Sequence, residues 1–162
     1  WCDVKESWTV EEKQLMLIDD LLKEVLKYPG RLIVITGGEP LMYDLSFLTQ
    51  TLKANGFQIN IETSGAYPIS GELDWICVSP KKFKAPLKEV LAKANELKCI
   101  IFNKSDFEFA EQNCLLATKD CVLYLQTEWS KQEQMLPLMI DYVKANPQWK
   151  ISLQTHKYLN IP

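Results

Sequence analysis

Arg31-Leu-Ile-Val-Ile-Thr-Gly-Gly-Glu-Pro40 is an apolar run that stops abruptly at two glycines, a carboxylate and a proline. Leu32 to Ile35 are consecutive aliphatics, which predicts a buried parallel strand covered on both faces. Gly37 and Gly38 can take backbone angles closed to other residues and admit a ligand close to the main chain, whereas Pro40 cannot continue a ladder. Glu39 is then held at the carboxyl end of a strand, the end at which parallel α/β folds bind ligands. A tight strand-to-helix turn with a solvated glutamate is the competing reading of these residues taken alone.

On either side of this stretch helix and strand patterns alternate. Upstream, Thr9-Val-Glu-Glu12 is a capping-box pattern, and Leu15, Ile18, Leu22 and Leu26 follow at helical spacing until Tyr28-Pro-Gly30. Downstream, Asp44 is placed to cap a helix carrying Leu45, Leu48 and Leu52, which Gly56 ends in a left-handed turn. Strands are predicted at Phe57 to Ile61, Asp74 to Val78, Lys98 to Phe102, Val122 to Leu125 and Trp149 to Leu153. Pro86 suits the start of a helix with Leu87, Val90, Leu91 and Ala94 on one face. The segment from Asn103 to Asp120 is ambiguous and has room for a short helix. Ser130-Lys-Gln-Glu133 reads as a second capping box, opening a helix with Leu136, Met139 and Val143 that Pro137 would kink. This order calls for a parallel sheet with helices outside, either open or an incomplete barrel, in a single domain over 1–162.

Strand after strand ends in small polar and ionisable residues. Gly37-Gly-Glu-Pro40, Glu62-Thr-Ser-Gly65, Ser79-Pro-Lys81, Gln126-Thr127 and Gln154-Thr-His156 would converge on one rim of a parallel sheet. Carboxylates, hydroxyls, a lysine and a histidine together suit a zwitterionic small molecule bearing an amine, a carboxylate and sugar hydroxyls. Lys82 and Lys84 beside Lys81 are the usual composition of a solvated cluster.

Composition sets the outer bounds. The 162 residues are 47% hydrophobic, enough for a real core, and the net charge of −3 provides no basic field for nucleic acid. No apolar run approaches the roughly 20 residues needed to cross a bilayer, so no membrane is expected and a cytoplasmic location is. The five cysteines include no Cys-x-x-Cys pair and build no secreted disulfide framework. Cys77 and Cys99 lie in strand-like runs and read as core, while Cys114 and Cys121 match no common metal spacing. Cys2 stands apart beside Asp3, and the opening Trp1-Cys2 suggests that further residues precede it.

Four of these signatures together resemble one family. Gly-Gly-Glu-Pro, Glu-Thr-Ser-Gly, Ser-Pro-Lys and the terminus Leu-Gln-Thr-His-Lys-Tyr-Leu-Asn-Ile are similar, across essentially the whole chain, to the 7-carboxy-7-deazaguanine synthases of the radical S-adenosylmethionine superfamily. The resemblance implies an α/β fold, an incomplete (β/α) barrel of mostly parallel strands, with one strand and most of the cluster loop expected upstream of these six strand candidates. It implies that Gly38 and Glu39 meet the methionine ammonium of S-adenosylmethionine, and that Glu62, Ser64, Ser79, Lys81 and Gln126 hold its carboxylate and ribose.

Thr36 and His156 would face a pterin substrate, joined by the terminal carboxylate of Pro162, with Tyr158, Leu159 and Ile161 anchoring the tail over the barrel mouth. Cys2-Asp3 matches the end of the family's three-cysteine loop, making Cys2 a ligand of a [4Fe-4S] cluster. The family's magnesium ion would lose a ligand here, because Val4 replaces a threonine and offers no side-chain oxygen. The implied reaction is hydrogen abstraction by a 5′-deoxyadenosyl radical from 6-carboxy-5,6,7,8-tetrahydropterin, with ring contraction to 7-carboxy-7-deazaguanine and loss of ammonia. An electron donor such as flavodoxin and a homodimer are the implied partners. Two alternatives stay open at this stage: a radical activating enzyme acting on a partner protein, and a non-enzymatic small-molecule-binding domain.

Overall fold

The structure, a computed structural model, describes residues 15–160. Six strands, β1 (Leu32–Ile35), β2 (Gln58–Thr63), β3 (Trp75–Val78), β4 (Glu96–Ile101), β5 (Val122–Thr127) and β6 (Trp149–Ser152), form one sheet in the order β1-β2-β3-β4-β5-β6. Every pair is parallel. The crossovers carry the helices α2 (Ser46–Ala54), α3 (Lys88–Leu91), α4 (Ser105–Cys114) and α5 (Gln132–Ala145), while α1 (Ile18–Val25) precedes β1 and α6 (Thr155–Tyr158) follows β6. This is the expected incomplete (β/α) barrel arrangement.

Alternation within each strand separates two faces. Ile61, Val78, Leu97, Cys99, Ile101, Leu123 and Leu125 are buried on one face, against Val90 and Leu91 of α3, Ala110 of α4 and Met135 and Met139 of α5. Leu52 of α2 closes a smaller cluster with Phe57 and Ile59. Each fully buried Leu or Ile contributes about 1.5–3 kcal/mol of transfer free energy, so this face supplies most of the drive to fold. The other face carries Gln58, Asn60, Glu62, Glu96, Lys98, Tyr124, Gln126, Lys150 and Ser152, aligned across strands by register. A sheet with helices on one face and polar side chains on the other leaves the second face for a ligand.

Buried polar groups on the helix side are satisfied. Glu111 of α4 accepts from Tyr142 Oη at 2.6 Å and Trp149 Nε1 at 2.7 Å, tying α4, α5 and β6 together. Asp106 accepts from the backbone N–H groups of Phe102 and Asn103 and pairs with Lys82 at 2.5 Å. No helix among the described residues is long and apolar enough to cross a membrane.

Several expectations shift. β1 is not covered on both faces: it is an edge strand of the described sheet, with Leu32 and Val34 exposed on the polar side. Among the described residues the first helix starts at Ile18, after Leu15 to Leu17, which are exposed and non-helical; the expected capping box lies outside the described residues. Asp44 does not cap α2 directly: the N-cap position is Leu45, without a side-chain cap, and Asp44 one residue earlier accepts from Ser46 N at 2.9 Å in a local turn. The second capping box does not form. Ser130 donates instead to Glu128 in a 3₁₀ turn, Trp129–Lys131, and α5 begins after it without a side-chain cap. The ambiguous segment contains α4, whose buried face is polar as well as apolar (Asp106, Ala110, Asn113), which is why hydrophobic periodicity did not reveal it. Gly56 takes the expected positive φ of 80°.

Candidate active site at the strand ends

Parallel pairing puts every polar strand end on the same rim. After β1 the chain turns through Gly37, at φ 128°, and Gly38 into Glu39, whose side chain accepts from Leu41 N at the start of the 3₁₀ turn Pro40–Met42. The Glu39 carboxylate also reaches the end of β2. One oxygen accepts from Thr63 Oγ1, the other from Ser64 N at 2.8 Å and from Ser64 Oγ. Four donors from two loops therefore converge on one carboxylate, an electrostatic clip between neighbouring strand ends. The loop that follows is braced by Gly65 at φ 76°, where a Cβ would stand 2.9 Å from Val78 Cγ1 and 3.0 Å from Pro86 Cβ.

Ser79 donates its N–H to Thr63 O at 2.7 Å, and Lys81 Nζ donates to Ser79 Oγ at 3.0 Å. Lys81 and Lys84 pair across a tight turn that carries Phe83 at its tip, and the Lys84 ammonium lies 3.5 Å from the centre of the Tyr67 ring. A cavity of about 580 Å³ opens between these loops. Thr36, Gly38, Glu39, Ser64 and Lys81 all line it. A second cavity of about 280 Å³ adjoins across Lys81 and Phe83, with Ile100, Phe102 and Phe109 as apolar walls.

The other expected site residues lie elsewhere on the rim or on the open face. Gln126 accepts from Ser152 Oγ at 3.0 Å on that face. Glu62 lies one pleat below Ser64 and accepts from Lys98 Nζ at 2.9 Å. His156 is exposed in α6, after the opposite edge strand from Thr36. Five strand spacings of roughly 4.8 Å separate those two edges along a flat sheet, so only curvature of the sheet can bring them together. The expected folding of the tail over the mouth is not seen in its described part. Tyr158 and Leu159 are exposed, and Tyr158 is held sideways by Gln132 and an edge-on contact with Trp129, 5.3 Å between ring centres. Cys2, Val4 and Pro162 lie outside the described residues.

Lys98, Tyr67 and Phe83 were not singled out from the sequence. The signal for Lys98 was present: in Glu96-Leu-Lys-Cys-Ile-Ile101 the charges alternate with apolar residues, which puts both on the ligand face. Burial alone would lower the Lys98 ammonium, but the hydrogen bond to Glu62 and the charges of Glu62 and Glu96 outweigh it and raise it above the ordinary lysine value. Burial likewise pushes the Cys77 and Cys99 thiols far up, so both stay protonated. Among the described residues no group of His, Cys, Asp and Glu could hold a metal ion.

A one-sided parallel α/β barrel with glycine-rich, carboxylate-bearing strand ends defines a small-molecule enzyme whose ligands sit at the carboxyl edge of the sheet. A 7-carboxy-7-deazaguanine synthase from Flavobacterium psychrophilum is 54% identical over 162 residues, all of this chain and 77% of that protein. Another from Synechocystis sp. is 43% identical over 161 residues, 99% of this chain and 77% of that protein. Among solved structures, the crystal structure of QueE from Escherichia coli matches with a TM-score of 0.81 and 31% identity, covering 95% of this chain and 78% of that one. No protein-family model matches. The chain belongs to the 7-carboxy-7-deazaguanine synthase family.

Proposed function

We infer that this chain carries the cofactor and substrate rim of an enzyme that converts 6-carboxy-5,6,7,8-tetrahydropterin to 7-carboxy-7-deazaguanine and ammonia. Membership of the family supports this reading, and the observation that carries it is the strand-end cavity lined together by Gly38, Glu39, Ser64 and Lys81. When bound, a [4Fe-4S] cluster and S-adenosylmethionine supply reductive cleavage to an alkyl radical that abstracts hydrogen.

The donor set fits S-adenosylmethionine. Glu39 offers a carboxylate to an ammonium, and because Ser64 Oγ is a rotatable hydroxyl, it can release its bond to Glu39 without moving the backbone. Lys81 is a cation for a carboxylate, and Glu62 and Gln126 offer acceptors and an amide for ribose hydroxyls. Ile100, Phe102 and Phe109 give the smaller cavity walls suited to a purine ring. Phe83 and Tyr67, at the mouth, help to keep water from the reacting atoms. Thr36, His156 and Pro162 are assigned to the pterin, and Cys2 to the cluster.

Magnesium, if used, would need a ligand other than Val4. A flavodoxin-like electron donor, a homodimer and a cytoplasmic site of action complete the reading. The test is anaerobic reconstitution of the full-length enzyme with iron and sulfide, followed by incubation with S-adenosylmethionine, a reductant and the pterin. Mass spectrometry should find 7-carboxy-7-deazaguanine and 5′-deoxyadenosine in the product; a loaded cluster that yields neither overturns the function.

A further inference from the structure

Three charged side chains face one another on the open side of the sheet. Lys98 of β4 reaches across β3 and donates to Glu62 Oε1 of β2 at 2.9 Å. Beneath it, Glu96 accepts from Trp75 Nε1 at 3.3 Å and lies 3.4 Å from Cys77 Sγ. Register places Lys98 level with Tyr124 of β5 and one pleat above Glu96, while Glu62 is level with Cys77. Glu96 is level with Cys77 too, so the two carboxylates stand on either side of it at one height, with the Lys98 ammonium bonded to Glu62.

The pair is asymmetric. The Lys98 side chain keeps 16% of its exposure and the Glu62 side chain 45%. A half-exposed glutamate with three rotatable bonds loses entropy when held in one rotamer, and beside a second carboxylate it would turn outward to water. Lys98 opposes both tendencies, being the more buried partner and bonded to Glu62 at 2.9 Å.

We propose that Lys98 is a positioning residue for the cofactor, acting through Glu62: its ammonium fixes the carboxylate at the height where sugar hydroxyls can donate to it. The proposal rests on the reading of Glu62 as a ribose-holding residue. It adds a strand-β4 residue that touches no ligand.

A double-mutant cycle on the cluster-loaded full-length enzyme tests it, with S-adenosylmethionine affinity read by calorimetry. Glu62→Gln should weaken binding by about tenfold, and Lys98→Met by a similar factor. The double variant should be no weaker than either single one, because a residue acting through Glu62 has nothing left to act on. Lys98→Arg should recover most of the affinity. In turnover, Lys98→Met should raise KM for S-adenosylmethionine and leave kcat at saturation close to wild type. Lys98→Gln provides the same test if the methionine variant does not fold.

Additive losses would overturn the proposal, since Lys98 would then act independently of Glu62. So would unchanged affinity in Lys98→Met accompanied by lower urea stability, which is the mark of a purely structural pair. Intact affinity in Glu62→Gln, with product still formed, would remove the positioning role while leaving the enzyme's function standing.

Discussion

Glu39 has two calls on one carboxylate. It clips β1 to β2 by accepting from Leu41, Thr63 and Ser64, and it is the acceptor proposed for the ligand ammonium. Glu39→Gln keeps the shape and removes the charge, so S-adenosylmethionine affinity should fall by roughly tenfold or more, since a charge-assisted bond is worth about 1.5–3 kcal/mol. Calorimetry on the cluster-loaded enzyme checks this, and an unchanged affinity would confine Glu39 to its clip. Gly65 bears on stability. Its positive φ and the crowding by Val78 and Pro86 mean that Gly65→Ala should cost at least about 1–2 kcal/mol from the backbone alone, read as a lower urea midpoint. The sequence revealed most of the residues around Glu39, because strand ends are marked by glycine and proline. It did not reveal that Glu62 and Lys98 meet, because a contact over an intervening strand depends on register.

At the level of elements, Asp74 joins three of them. Its carboxylate accepts from Ile59 N at 2.7 Å in β2 and from Lys53 of α2, directly before β3 begins. The Lys53 ammonium first, and the Ile59 N–H second, hold this carboxyl below its ordinary value. A depressed pKa stabilises the fold above the unfolded value, about pH 4, and the contribution fades as the pH falls through the lower folded value. Asp74→Asn should therefore lower the urea midpoint at pH 7 and differ progressively less from wild type toward pH 3. A gap that did not change with pH would show that Asp74 acts by shape, not charge. Strand positions were readable to within a residue or two because parallel strands are near-continuous aliphatic runs. Caps were less readable, since Ser130 found a nearer partner in Glu128 than in the helix it was expected to open.

Across the whole molecule, burial is unequal. Leu97, Ile101 and Leu125 on β4 and β5 have no exposure, whereas α1 and α6 bury no residue. Hydrogen exchange should follow that gradient: amides of Ile18–Val25 and Thr155–Tyr158 should exchange first, and those of β4 and β5 last. Uniform protection across these elements would contradict a core centred on the middle strands. The aliphatic composition announced this core, but the polar character of the opposite face became clear only when the strands were placed in register.

The strand order of the described sheet is the order of synthesis. No strand waits for a later one to be threaded between it and its neighbour, so each new β segment can dock on a ladder already made. At about 5–20 residues per second, a ribosome needs seconds to deliver each crossover and its strand, while helices form in microseconds. The sheet can thus grow vectorially, one rung at a time, and the strand-end rim is assembled progressively from the Glu39 side toward the His156 side as the chain emerges.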